Sequence, residues 1–269
     1  MTYRQQLHTH TYRCQHASGD APDYARVAAA GGCQVLGISD HTPLPDHRWS
    51  DVRMHLDQLD GYEAAIASAR REHPRLTILK ALECEWMPEY AAFYREELLG
   101  RRGYDYLIGA GHYIEMDDGR WKGSFENLCT PDTLRRYATL LTALMEARLF
   151  AFVAHPDIFG ICNPRWTADT AACARDICAA AAATGTPLEL NAYGLRKPKV
   201  DGSEGRRPGY PWPPFWEVAA AHGVRVVLNS DAHRPQDVLH GHAELSAIRD
   251  RFGLVEAELF TRSRTMTGQ

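Results

Sequence analysis

Val35-Leu36-Gly37-Ile38-Ser39-Asp40-His41 is an apolar run of strand length that ends in an acid and a histidine. The same arrangement recurs along the chain: further apolar runs predict buried strands, and each is followed by a histidine or a carboxylate. These runs and the residues that follow them are 76–82 with Glu83, 106–111 with His112, 149–154 with His155, and 224–230 with Asp231-Ala232-His233. The candidate functional residues therefore lie at strand ends.

Two more histidines stand near the start of the chain, in Leu7-His8-Thr9-His10. Because they are spaced by two, their side chains would lie on one face of an extended segment. Imidazoles and carboxylates are the ligands of zinc, manganese and iron in proteins. Ligands of this kind at the same end of several parallel strands would converge on one point. The pattern predicts a multinuclear metal enzyme.

Helix-like stretches separate the strand-like runs. Gly31-Gly32 stops the first, Thr130-Pro131-Asp132 caps the third, and Gly185 stops the fourth. The predicted helices cover 22–30, 51–72, 130–145, 168–184, 214–221 and 236–252. This strict alternation favours parallel βαβ units.

The number of strand ends that carry ligand-type residues favours a barrel over an open sheet. In an open sheet, ligands gather at one switch point and come from two or three strands. Here they leave nearly every one of about seven strand positions, as they do at the C-terminal mouth of a barrel. We expect a single domain over residues 1–269. The irregular stretch 193–213 exceeds ordinary loop length, which indicates a functional lid.

Composition excludes several other classes of protein. The 269 residues are 45% hydrophobic, with a net charge of −4 that is spread without blocks. No basic or basic-aromatic stripe suggests nucleic acid, and no apolar run approaches the length of a membrane span. The first residues lack a signal peptide's apolar stretch, and the seven cysteines form no CxxC pair. These features predict a cytoplasmic enzyme without nucleic-acid or membrane partners, and they leave the oligomeric state open.

The roles of four carboxylates are open at this stage. Glu83 and Glu85 share a strand face with Ala81, so strand parity does not separate them. Asp40, beside His41, suits a partner of a ligand or a helix cap better than a ligand. Asp157 is placed either to orient His155 or to assist proton transfer. The alternative that it is an ordinary loop aspartate is equally open.

The chain carries an ordered set of motifs, which are His8-Thr9-His10, Cys14-Gln15-His16-Ala17, Ser39-Asp40-His41-Thr42-Pro43-Leu44, Arg53-Met54, Leu82-Glu83-Cys84-Glu85-Trp86, Gly111-His112-Tyr113, His155-Pro156-Asp157, the 191–198 segment Asn-Ala-Tyr-Gly-Leu-Arg-Lys-Pro, and Asn229-Ser230-Asp231-Ala232-His233. This ordered set resembles the polymerase-and-histidinol-phosphatase (PHP) family, in its monofunctional histidinol-phosphatase branch.

The resemblance implies a distorted (βα)7 TIM-like barrel that holds up to three divalent ions (Zn, Mn or Fe), with Glu83 rather than Glu85 as the bridging ligand. By motif position, the ligands would be His8, His10, Glu83 and Asp231 for the first ion, Glu83, His112 and His155 for the second, and His16, His41 and His233 for the third.

The resemblance also implies a substrate and a reaction. Arg196, Lys197 and Arg53 would bind the substrate, and Asp231, His233 and Arg196 would act in catalysis. The expected reaction is hydrolysis of histidinol phosphate through in-line attack by a metal-bound hydroxide. The alternatives are another small phosphomonoester or a nucleotide as substrate, and a non-catalytic PHP scaffold. From the residues alone, a solvated basic surface is an equal reading of Arg196 and Lys197.

Overall fold

The computed structural model describes residues 5–203 and 205–260, which fall into two compact units. Of the described residues, unit 1 contains 5–108, 229–240 and 258–260, and unit 2 contains 109–203, 205–228 and 241–257. No helix in the described part of the chain is both long and apolar enough to cross a bilayer.

Unit 1 is built on parallel strands in the order β1-β2-β3-β4. Its strands are β1 (Gln5–Gln6), β2 (Val35–Ile38), β3 (Thr77–Glu85) and β4 (Tyr106–Ala110, whose last two residues belong to unit 2), and its helices are α1 (Ala21–Ala30), α2 (Leu59–Glu72), a π-helix (Phe93–Arg101) and 3₁₀ turns at Tyr12–Cys14, Leu56–Gln58, Pro88–Tyr90 and Pro235–Asp237. The strand interiors are buried, as expected of a parallel sheet covered by helices.

The ends of these strands bring distant parts of unit 1 together. The amide N–H of His10 donates to the carbonyl of Ala232 at 2.9 Å, which places the first histidine motif beside the last. The amide N–H of Glu83 donates to the carbonyl of Asp40 at 3.0 Å. The segments that leave β1, β2 and β3 therefore run side by side, with their polar residues at one edge.

Unit 2 repeats the alternation with a second parallel set in the order β7-β8-β11-β12. Its further strands are β5 (Tyr113–Glu115), β6 (Trp121–Gly123), β7 (Phe152–Val153), β8 (Leu188–Asn191), β9 (Val200–Gly202), β10 (Gly205–Arg207), β11 (Arg225–Asn229, whose last residue belongs to unit 1) and β12 (Val255–Glu256). Its helices are α3 (Ser124–Asn127), α4 (Pro131–Glu146), α5 (Ala168–Thr184), α6 (Tyr193–Arg196), α7 (Pro213–Ala221), α8 (His242–Phe252) and a 3₁₀ turn at Ile158–Ile161. β5 pairs with β6, and β9 with β10, as antiparallel hairpins.

The predicted alternation of parallel strands and helices is confirmed, and α5 has the predicted bounds. The main-sheet strands of the described chain number eight rather than seven, because the short β12 adds to β11. Two predicted helices were too long at their starts. Residues 51–55 are not helical, and the left-handed Gly241 (φ +78°) separates the turn at Pro235–Asp237 from α8.

The stretch predicted to be a lid has regular structure. Within 193–213, α6 is followed by the hairpin β9–β10, while Glu204 lies outside the described residues. The β9 and β10 segments do not alternate apolar and polar residues, so the sequence pattern did not predict them as strands.

Gly37→Ala should destabilise unit 1. A Cβ at Gly37 would lie 1.8 Å from the Tyr106 hydroxyl and 3.0 Å from Cα of Leu7, so the neighbouring backbone would have to shift. Overpacking of this kind costs roughly 1–3 kcal/mol, which should appear as a lower midpoint of urea unfolding.

Gly61→Ala in α2 is the matched control for this substitution. Its added Cβ would meet only Arg13 Nη2, at 4.0 Å. Alanine is favoured over glycine in a helix by up to about 1 kcal/mol, so this variant should unfold at an equal or higher urea concentration. If both variants shifted the midpoint alike, the close approach at Gly37 would not limit packing.

Candidate metal centre

The paired histidines of unit 1 face a common point with Asp231. His8 and His10 point their Nε2 atoms at each other across 3.1 Å. Asp231 Oδ1 lies 3.1 Å from His10 Nε2 and 3.7 Å from His8 Nε2. All three side chains are buried, and Asp231 is held in the left-handed region (φ +48°), a backbone strain that is typical of functional sites.

Glu83 joins the same cluster from the end of β3. Its Oε2 lies 3.5 Å from His8 Nε2, 3.6 Å from His10 Nε2 and 3.0 Å from His41 Nδ1. The carboxylate is 1% exposed, so solvent does not compensate its charge. A buried carboxylate in such a place needs protons or cations as partners.

The donor spacings fit a transition-metal ion. Zinc–nitrogen bonds of 2.0–2.1 Å in a tetrahedral site imply ligand–ligand separations of about 3.3 Å. The separations among His8, His10, Glu83 and Asp231 given above run from 3.1 to 3.7 Å. These four side chains therefore fit the ion that the sequence predicted for them.

A second group of donors lies beside the first in unit 1. His16, His41 and His233 bring one ring nitrogen each within 4.8 Å of one another. The Nδ1 atoms of His16 and His233 lie 2.7 Å and 3.1 Å from the carbonyl oxygens of Cys14 and Asp231. A hydrogen bond at Nδ1 leaves Nε2 to bind a metal, as is usual for histidine ligands.

Asp40 lies beside His10, in the first group of donors. Its Oδ1 lies 3.5 Å from His10 Nδ1, and its Oδ2 accepts hydrogen bonds from the Thr11 amide at 3.1 Å and from the Thr11 hydroxyl. A carboxylate at the far nitrogen of a ligand fixes the tautomer and raises the basicity of that ligand. This position agrees with the expectation that Asp40 is a partner of a ligand.

The carboxylates of Asp231 and Asp40 favour the protonated form of His10. Burial lowers the pKa of His10, but hydrogen bonds to Asp231 and Asp40 outweigh burial and raise that pKa to about 9. Burial raises the pKa of Asp231, and the nearby His8 and His10 nevertheless hold it well below its usual range. Burial, together with the charge of His10, holds the pKa of His233 well below the usual value. A divalent cation would therefore displace a proton from His10 at neutral pH.

The alternative carboxylate, Glu85, has a different partner. Its Oε1 accepts from Arg53 Nη2 at 3.3 Å, and Arg53 also donates to the carbonyls of Thr42 and Trp49. Both side chains of the pair are buried. Glu83 is thus the carboxylate beside the histidines, whereas the expected contact of Arg53 with substrate stays a prediction.

Unit 2 holds the other two histidines predicted to bind metal. His112 and His155 approach to 3.1 Å between their Nε2 atoms, a separation that also suits two ligands of one ion. The Phe125 ring in α3 lies 5.9 Å from the His112 ring and 6.1 Å from the His155 ring. Lys197 Nζ lies 5.0 Å from the centre of the same phenylalanine ring. The predicted phosphate-binding segment therefore lies next to this histidine pair.

Arg196 is half-buried beside Tyr193. Its guanidinium carbon lies 5.1 Å from the Tyr193 ring centre, and Lys197 Nζ lies 4.3 Å from the same ring. A cation over an aromatic face is held in place while it keeps hydrogen-bond donors for a ligand. The two cations are therefore more ordered than a solvated basic surface would make them.

Two residues of these clusters were not predicted from sequence. Cys14 Sγ lies within 4.8 Å of ring nitrogens of His10 and His233, and burial and the Asp40 charge raise the pKa of its thiol. Phe125 links His112, His155 and Lys197 by ring contacts. The family motif included Cys14 without giving it a role, and no spacing rule identifies a contact such as that of Phe125.

Two relatives are similar to this chain in sequence. One, from Deinococcus radiodurans, is named "Probable histidinol-phosphatase" and is 33% identical over 253 residues, which cover 90% of this chain and 92% of the relative. The other, from Acetivibrio thermocellus, is named "Probable phosphatase" and is 24% identical over 226 residues, which cover 84% of this chain and 78% of the relative. Residues 6–193 also match the PHP domain.

Two solved structures share the fold. Histidinol phosphate phosphatase from Lactococcus lactis, in complex with zinc, L-histidinol and phosphate, has a TM-score of 0.73 at 14% identity, over 95% of this chain and 96% of that one. The hisK protein from Listeria monocytogenes has a TM-score of 0.74 at 18% identity, over 90% of this chain and 99% of that one. The fold is that of a parallel α/β protein, and its clustered donors fit divalent metal ions. The chain belongs to the PHP family.

Glu83→Gln and Glu85→Gln should damage different properties. Glu83→Gln removes the anion among His8, His10 and His41, so metal content after purification should fall while the unfolding midpoint changes little. Glu85→Gln weakens a buried pair with Arg53, which should lower the free energy of unfolding by about 1.5–3 kcal/mol and leave bound metal unchanged. Metal analysis and urea unfolding measure both effects, and a reversed pattern would move the ligand role to Glu85.

Proposed function

We propose that this protein is a metal-dependent phosphomonoesterase that hydrolyses L-histidinol phosphate to L-histidinol and phosphate. The observation that carries the proposal is the buried cluster around Glu83, whose donor separations of 3.0–3.6 Å fit divalent-ion ligands. The substrate comes from the likeness to the Deinococcus radiodurans relative, which extends over 90% of the chain.

The ligand set proposed for up to three divalent ions follows the sequence motifs. In unit 1 we propose His8, His10, Glu83 and Asp231 for one ion and His16, His41 and His233 for another. In unit 2 we propose His112 and His155 for a further ion. Bound ions would supply an acidified water as nucleophile and positive charge for the phosphoryl oxygens. Mixed nitrogen and oxygen donors suit Zn, Mn or Fe.

The charge balance of unit 1 supports a phosphate dianion as ligand. Five neutral imidazoles and two carboxylates compensate only half the charge of two divalent ions. The resulting positive potential would attract an anion to the site and favour release of protons from bound water. Asp231 and His233 lie 3.5 Å apart within this cluster, between Oδ1 and Nδ1, and we propose that both act next to the reacting phosphorus.

Arg196 and Lys197 are proposed to contact the phosphate. The side chains of both lie against Tyr193, and Lys197 also lies against Phe125 beside the His112–His155 pair. A guanidinium offers a planar pair of donors to phosphate, and an ammonium offers a point charge.

We propose that the protein acts in the cytoplasm on this small substrate, without nucleic acid or membrane.

The comparison of substrates is the direct test of the proposal. Histidinol phosphate should give a higher kcat/KM than p-nitrophenyl phosphate, AMP or glucose 6-phosphate. All four offer the metals a phosphate, so the difference in kcat/KM measures how well the protein recognises the rest of the substrate. A chelator should abolish turnover, and added Zn, Mn or Fe should restore it. A tenfold preference for a nucleotide or sugar phosphate would support the proposed phosphatase activity but contradict histidinol phosphate as its substrate. No chelator-sensitive phosphate release from any substrate would favour a non-catalytic scaffold.

Arg196→Ala should lower kcat/KM for histidinol phosphate without loss of metal. A hydrogen bond to a charged group contributes about 1.5–3 kcal/mol, which corresponds to a decrease of about ten- to two-hundred-fold. Arg206→Ala is the matched control, because Arg206 belongs to the same 193–213 stretch but is 71% exposed and pairs with Asp201. Equal kinetics of the two variants would return Arg196 to a surface role.

A further inference from the structure

Two buried carboxylates of unit 2 are not explained by any ligand role. Glu189 in β8 and Asp157 after His155 are both fully buried. Buried charged groups are rare unless specific donors compensate them. The donors that each of them binds come from the segments that carry His155 and Arg196.

Glu189 joins the His155 turn to the start of the arginine–lysine segment. Its Oε2 accepts from the His155 amide at 3.0 Å and from Asn191 Nδ2 at 2.7 Å. Asn191 Oδ1 in turn accepts from the Tyr193 amide at 2.8 Å, at the first residue of α6. His155 itself has a φ of +30°, a conformation that its surroundings must hold.

Asp157 joins the same turn to the far end of that segment. Its Oδ2 accepts from the Trp212 amide at 2.6 Å and from Trp216 Nε1 at 2.9 Å. Arg207 reinforces the contact, since Nη2 donates to the Gly160 carbonyl at 3.1 Å and the guanidinium carbon lies 4.1 Å from the Trp212 ring centre. The far end of the segment therefore lies within hydrogen-bond distance of the His155 turn, to which its start is linked through Asn191 and Glu189.

The two ends of the segment also pack on each other, and its far end packs on the turn that follows His155. A Cβ added to Gly194 would lie 2.0 Å from the carbonyl oxygen of Tyr210, and one added to Gly160 would lie 2.1 Å from that of Gly209. Backbone approaches this close are possible only because glycine stands at both positions. The stretch predicted to be a lid therefore packs closely against the rest of unit 2.

We propose that Asp157 and Glu189 are positioning residues that clamp residues 193–212 onto the His155 turn. The clamp fixes Arg196 and Lys197 relative to His155, so the phosphate contact and the proposed metal ligand form one preorganised body. Preorganised contacts cost less conformational entropy when substrate binds. This inference rests on the proposed function for its kinetic consequence, while the clamp itself is independent of any reaction.

Asp157→Asn and Asp157→Ala test the clamp as a pair. Asparagine retains one oxygen, and Oδ2 alone accepts both donors, so kcat, KM and proteolysis should stay within about twofold of wild type. Alanine removes the oxygen that accepts both hydrogen bonds, so KM for histidinol phosphate should rise about tenfold or more, with a smaller change in kcat. Metal content should be unchanged in both variants.

Limited trypsin digestion of the folded holoenzyme supplies a readout that needs no activity. Cleavage after Lys199 and Arg206, followed by mass spectrometry, should accelerate in Asp157→Ala and not in Asp157→Asn. Cleavage after Arg26, in unit 1, is the internal reference. Trp216→Phe, which keeps an aromatic side chain but removes the indole N–H donor, should give an intermediate rate and serves if Asp157→Ala does not fold.

The outcomes separate the clamp from the proposed function. Unchanged cleavage after Lys199 and Arg206 in both Asp157→Ala and Trp216→Phe would overturn the clamp. Asparagine as harmful to turnover as alanine, without faster cleavage, would also overturn it in favour of a direct role of the Asp157 charge. Faster cleavage in Asp157→Ala or Trp216→Phe, combined with no turnover of histidinol phosphate by the wild type, would support the clamp and contradict the proposed substrate.

Discussion

The Glu83 carboxylate, buried among three histidine rings, is the interaction on which the site of unit 1 depends. Its Oε2 has His41 at 3.0 Å, His8 at 3.5 Å and His10 at 3.6 Å. An ionised carboxylate in this position costs several kcal/mol unless cations or protons surround it. The parallel pairing of β1, β2 and β3 is what brings the three histidines to it, so the backbone hydrogen bonds of the sheet ends fix the geometry of the donors.

The chemistry of each carboxylate is set by its neighbours rather than by its position on a strand. Glu83 and Glu85 lie two residues apart on β3 and are both buried. The guanidinium of Arg53 engages Glu85, whereas histidine rings surround Glu83. In the same way, Asp231 lies against ring nitrogens and Asp40 against Thr11 and the far nitrogen of His10. The carboxylate group thus serves as a candidate metal ligand, as the partner of a candidate ligand and as one member of a structural ion pair.

Unit 2 uses buried carboxylates in yet another way, as acceptors of N–H groups. Glu189 binds the backbone amide of His155, and Asp157 binds that of Trp212. Both hold irregular backbone that no sheet ladder satisfies, where an unpaired N–H would be costly. The segment that they hold carries Arg196 and Lys197 on the aromatic faces of Tyr193 and Phe125. Flexible cations become ordered because the backbone beneath them is clamped.

The sequence by itself determined the parallel α/β class, most helix positions and the strand-end origin of the donors. Periodicity, caps such as Thr130 and glycine stops such as Gly185 are local, and local interactions suffice to fix them. Only the tertiary structure decided which carboxylate joins the histidines, because Glu83 and Glu85 share one strand face and differ only in what lies across from them. It also decided that residues 193–213 form a hairpin-bearing segment and that Phe125 lies beside His112 and His155. The contacts of Glu83 with His41 and of Phe125 with His155 join residues far apart in the chain, and no local propensity or spacing encodes them.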